Sequence, residues 1–239
     1  MNALQVAIDS SNVGVSLLKA TRYEEALDLF RSAADLMYEV TTVLNAAGPS
    51  QADWIEIISN PTTCAKVQAA QEKLQKVSTS TVKENEQRAE RCHEADCFLH
   101  VRGFSLLMPP KEEEVPCALY SATILTNMAL AYHLAVPQTS SSNYPSFHNA
   151  MTLYEMAYSV ATRVDNSEHS SRIVMAALNN MGQIHHECGM YDDARYILNT
   201  LQEYIRHRIK DGDDAFSAEK RVYLLNAMLL VKPRGAAAA

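Results

Sequence analysis

The sequence predicts an all-α protein, an α-solenoid of antiparallel helix pairs, and three observations carry that prediction. Glycine and proline are scarce, 7 and 8 in 239 residues, which favours long helices over turn-rich β architecture. Apolar residues recur at steps of three and four, the spacing that lines one face of a helix. One arrangement of small and large side chains also comes round three times. A single domain is expected over 1–233, with 234–239 a disordered tail.

The first pair is expected over 1–45. Gly14 lies nine residues before Tyr23, which is followed by Ala26, Phe30 and Ala33. An insertion over 46–115 comes next. It opens as a loop with an apolar patch around Trp54 and continues through a Lys-, Glu- and Gln-rich stretch, 63–95, that reads as helical. "FLHVRGFSLLM", 98–108, breaks the helical style. Arg102-Gly103 is placed to turn a short β-hairpin, and Pro109-Pro110 ends it. The second pair, 116–165, puts Ala129 in the small slot and Ala150, Tyr154 and Ala157 on the partner helix, with a turn stretched over 135–147. The third, 166–211, repeats the first: Gly182 lies nine residues before Tyr191, and Ala194, Leu198 and Leu201 follow. "DGDDAF" then breaks the chain, and 212–233 is expected to be a capping helix. Small residues let two helices approach, and burying each large one between them contributes roughly 1.5–3 kcal/mol. One pair cannot cover its own apolar face, so neighbours must stack.

The pattern Leu178, Met181, Gly182, Gly189, Tyr191, Ala194, nearly repeated from Gly14 with Thr21 in place of the turn glycine, resembles the tetratricopeptide repeat (TPR), a helix–turn–helix unit. The resemblance covers about half the chain. It implies a fold and says little of function, since such repeats serve many partners.

Composition narrows the function classes. The net charge of −7 sets the chain against phosphate backbones, so no nucleic-acid partner is expected. No apolar run approaches the ~18 residues of a membrane span, and no membrane association is expected. Five cysteines without a CxxC read as free thiols, and no secretory leader is legible at the N-terminus, so a cytoplasmic or nuclear protein is expected. No nucleophile, phosphate-loop or dinucleotide motif occurs, so neither catalysis nor a cofactor is expected.

The strongest functional signal is an asparagine two residues before each small slot: Asn12, Asn127 and Asn180, with Asn226 on the last helix a further candidate. That offset turns the amide about 160° from the slot, away from the packing within the pair. The TPR resemblance implies a concave groove on that side, with asparagines that hydrogen-bond an extended peptide. A carboxamide offers one acceptor and two donors, which matches a peptide unit whatever its side chain. Lys19, Leu130 and Gln183 fall on the same face, and His133 and His186 occupy equivalent places four residues after their small slots. The face is mostly neutral, and Lys19 is its one cation. It therefore suits a neutral extended segment of another protein rather than a terminal carboxylate. The expectation is a protein–protein scaffold or adaptor.

Two histidine groups invite a different chemistry. His185 and His186 are adjacent, so they point about 100° apart on a helix. His185 shares the packing side with Leu178 and Met181 and reads as a core histidine. His93, Cys97 and His100 fall at i, i+4, i+7, one helix face, where N and S ligands suit zinc. No fourth ligand is evident, and a zinc-dependent binding or sensory module is the alternative reading.

Overall fold

The computed structural model describes residues 2–47, 61–79, 102–108, 117–135, 144–164, 167–210 and 217–231. These residues form eight α-helices and no strand: α1 (Ala3–Lys19), α2 (Tyr23–Ala47), α3 (Pro61–Thr79), α4 (Cys117–Leu134), α5 (Tyr144–Ala161), α6 (Glu168–Glu187), α7 (Tyr191–Lys210) and α8 (Ser217–Val231). The most extensive contacts join α1 with α2, α4 with α5, and α6 with α7. Between pairs, α2 packs on α4 and α5 on α6, while α8 closes against α7 and α6. No helix among the described residues is long and apolar enough to cross a membrane.

Local chemistry sets the helix ends. The side chain of Asn2 accepts from the Gln5 amide at 2.7 Å, and that of Ser167 from the Ser170 amide at 3.1 Å. Each satisfies one of the donors that a helix start leaves without a partner. The turns inside the first and third pairs are built alike. The Thr21 and Gly189 amides reach back three residues, to the Leu18 and His186 carbonyls, and the Arg22 and Met190 amides reach back five, to Leu17 and His185. This is the Schellman closure, which puts its penultimate residue in the left-handed region. Gly189 takes φ +77° at no steric cost, whereas Thr21 is forced to +58°, a conformation that crowds a β-branched side chain.

Within the pairs, the small slots meet the large residues. A Cβ on Gly14 would fall 2.6 Å from the Phe30 ring, and one on Gly182 would fall 2.6 Å from Leu198. Phe30, Tyr154 and Leu198 are all fully buried. The apolar interior forms three clusters: one around Tyr154, Leu178, Leu198 and Tyr223, one around Leu4, Leu36, Ala70, Tyr120 and Ile124, and one around Leu17, Phe30 and Leu130.

Within the expected insertion, the stretch read as helical from residue 63 is helical through Thr79, whereas the region expected to form a hairpin differs. Within 46–115, α3 packs on α2 and α1 through Ala70 and the half-buried Val67 and Leu74. The expected β-hairpin is not seen. Residues 102–108 form neither strand nor helix, because their backbone groups bond to side chains of α1 and α4 instead of to a second strand. The Trp54 patch, residues 98–101, and the expected tail at 234–239 lie outside the described residues.

Candidate functional site: an occupied groove between α1 and α4

Residues 102–108 lie as a strap across the face formed by α1 and α4. Asn127 of α4 accepts from the Phe104 amide at 2.7 Å and donates to the Phe104 carbonyl at 2.8 Å. Asn12 of α1 treats Leu106 identically, accepting from its amide at 2.8 Å and donating to its carbonyl at 2.9 Å. Each side-chain amide therefore exchanges both bonds with one residue, as a residue in an antiparallel ladder does with its partner. The two strap residues are two apart, so alternate backbone groups face the helices, the pattern of an extended chain.

Side chains fix the register. Leu106 is buried, in the cluster with Leu4, Tyr120 and Ile124. The Tyr120 hydroxyl donates to the Leu107 carbonyl. A Cβ on Gly103 would lie 3.0 Å from Val15 Cγ2 and 3.4 Å from Asn127 Oδ1, so the strap comes close to α1 only because position 103 has no side chain. The Phe104 ring meets the His169 ring edge-on, 5.8 Å between centroids. His169 in turn lies 2.9 Å from the Thr123 hydroxyl. Its proton affinity is lowered, chiefly by burial and then by Arg172, against a smaller opposing effect of Glu168. Leu107 and Met108 point outward, 81% and 42% exposed.

The third asparagine behaves differently. Asn180 of α6 donates to the Tyr154 hydroxyl at 2.9 Å and accepts from Asn179 at 3.0 Å. Asn179 accepts from Asn226 of α8 at 3.1 Å. This chain is buried from end to end. Burial raises the Tyr154 hydroxyl above its ordinary pKa, and the bond to Asn180 works against that rise.

The other residues of the expected groove scatter. Leu130 is buried in the cluster with Val15 and Phe30. Lys19 is exposed at the end of α1. Gln183 is buried, donates to Glu187 at 2.8 Å and leaves its own carbonyl oxygen without a partner. His133 turns into the second pair, edge-on to Phe147 and Tyr154 at 5.6 and 6.2 Å. Its Nδ1 finds no hydrogen-bond partner, and burial pushes its pKa down to about 3. His186 is half-buried and packs edge-on against Tyr191 at 5.2 Å. His185 is half-buried, with Nδ1 buried and lacking a partner. The zinc candidates His93, Cys97 and His100 lie outside the described residues. Among the described residues no group of three or more His, Cys, Asp and Glu is arranged to hold a metal.

Sequence reasoning located the asparagines and missed the segment they hold. A signal was present: "GFSLLM" is apolar without helical period, opened by a glycine and stopped by Pro109-Pro110. Arg102-Gly103 suggests the turn of a hairpin, but the partners of residues 104 and 106 are side chains on α4 and α1 and not a second strand. Comparison with family models, with curated proteins and with solved structures returns no match.

Proposed function

We propose that this chain is a TPR-like helical-repeat scaffold or adaptor that takes an extended, mostly neutral segment of another protein in the groove between α1 and α4, without catalysis of its own. The observation that carries the proposal is the pair of amides on Asn12 and Asn127, each matched to both backbone groups of one residue in an extended segment. Such pairing recognises a peptide by its main chain, the mode by which an added strand is held at a sheet edge. Each bond contributes about 0.5–1.5 kcal/mol net, so two amides hold a short segment reversibly. The net charge of −7 argues against a nucleic-acid partner. The composition fits a cytoplasmic or nuclear setting.

The test is affinity capture with the full chain beside its Asn12→Ala/Asn127→Ala variant, followed by retesting captured proteins as purified components. The proposal expects partners that the unaltered chain retains and the variant loses, with helix content unchanged by circular dichroism. Retention of the same proteins by both chains would remove the groove from the account.

A further inference from the structure

The α1–α4 groove already holds a peptide, and that peptide belongs to the chain itself. We infer that residues 103–107 are an internal ligand, displaced when a partner binds, and that the partner's segment carries a small residue, an aromatic, any residue and a leucine in that order. This inference rests on the groove function proposed above and adds the partner's chemistry and its competitor.

The partner's pattern follows from the strap's contacts. The asparagine amides touch only main chain, so they ask for an N–H at alternate positions and bar proline where Phe104 and Leu106 stand. Val15 and Asn127 crowd position 103, at 3.0 and 3.4 Å from a Cβ, so a β-branched or larger residue has no room there. The His169 ring makes a T-shaped contact that suits an aromatic at the next position. Leu106 fills an apolar pocket beside Tyr120 and Ile124. Leu107 projects outward, and only its carbonyl is used, by Tyr120.

Displacement follows from the same contacts. Leu106 is the one strap side chain that is fully buried, and the other attachments are ones that any segment of this pattern reproduces. A competitor joined to the same chain meets the seat as an intramolecular ligand, at an effective concentration set by its tether. A free segment therefore binds only to the fraction of molecules with the seat open, and its apparent Kd rises by the inverse of that fraction. A partner overcomes this through contacts beyond the seat, or when the strap is weakened.

The test titrates a fluorescent peptide, "RGFSLLM", into the full chain and into its Leu106→Ala variant. The variant is expected to bind at least tenfold tighter, because its strap lets go while its seat is intact. Adding Asn12→Ala and Asn127→Ala to that variant should abolish binding, and a peptide with Phe104→Pro should bind at least tenfold more weakly. On the unaltered chain, saturating peptide should shift the backbone amide resonances of Phe104 and Leu106, which decides the matter even if Leu106→Ala fails to fold. Equal affinity for both chains, saturation that leaves those resonances in place, or no binding at all would overturn the internal ligand. So would a dimer at the titration concentrations that exchanges straps between copies, because the seat would then take a second copy rather than a partner. If the peptide fails while capture still depends on Asn12 and Asn127, the internal ligand falls and the groove function stands; if capture ignores both, the function falls.

Discussion

Asn127 and Asn180 occupy the same place in successive helix pairs, two residues before Ala129 and Gly182, yet they do different work. Asn127 meets the backbone of Phe104, and Asn180 meets the hydroxyl of Tyr154. The difference comes from the helix pair before each. Asn127 follows a pair whose central large residue is Phe30, which offers no polar atom. Asn180 follows one whose central residue is Tyr154, whose hydroxyl must find a partner when buried. Both amides are buried, but one is engaged by the backbone of residue 104 and the other by a phenolic oxygen. The α1–α4 end is a seat for backbone, and the region around Tyr154 is closed.

The same substitution at the two sites should break this comparison open. Asn180→Ala leaves the buried Tyr154 hydroxyl without its partner, at a cost of about 2–3 kcal/mol. In a chain of this size that lowers Tm by roughly 5–10 °C. Adding Tyr154→Phe should recover part of the loss, because both polar partners are then gone, and a double-mutant cycle measures the coupling. Additive losses would place the Tyr154 hydroxyl outside the Asn180 interaction.

The closed region should also be the acid-labile one. His133 packs on Tyr154, and its folded pKa, lowered by burial from 6.5 to about 3, lies below its unfolded value. The unfolded chain therefore binds the extra proton between those values. The contribution of His133 is fully present above about pH 6.5 and falls by about 1.4 kcal/mol per pH unit as the medium is acidified toward 3. His169, also lowered, adds in the same sense. Denaturant titrations at pH 7 and pH 5 should show the loss, and His133→Leu should flatten it; an unchanged slope would assign the acid sensitivity elsewhere.

Asn127→Ala should do less to the whole and more to one place. It removes two strap bonds whose partners lie toward the surface, costing about 1–2 kcal/mol, and chemical denaturation should show a smaller shift than for Asn180→Ala. A cost equal to that of Asn180→Ala would make the strap a structural brace. The smallest effect is expected at the turns. Thr21→Gly relieves the left-handed strain at φ +58° and should stabilise by about 0.5–1 kcal/mol, after the entropy that glycine loses on folding is subtracted. No gain in the thermal melt would count against the equivalence of Thr21 and Gly189.

Much of this was legible in the order of residues. Gly14 before Phe30 and Gly182 before Leu198 announced the close pairs, because only a missing side chain admits a ring or a branched chain at that distance. The asparagines were legible by their offset from those slots. Their different fates required knowing what lies across the next helix, which depends on stacking between pairs rather than on local period. His133 and His186 share a sequence position, but one is turned into Phe147 and Tyr154 and the other onto Tyr191. The strap was least legible. Its hydrogen bonds join residues 23 and 94 positions apart, and no local pattern reports a partner that distant.

The most direct measurement is residue-resolved amide hydrogen exchange on the unaltered chain and on Asn12→Ala and Asn127→Ala. Loss of Asn127 should speed exchange at Phe104, and loss of Asn12 should speed it at Leu106, while the amides inside α6 keep their protection. Phe104 and Leu106 exchanging at unchanged rates in both variants would contradict the claim that these two side chains hold a backbone.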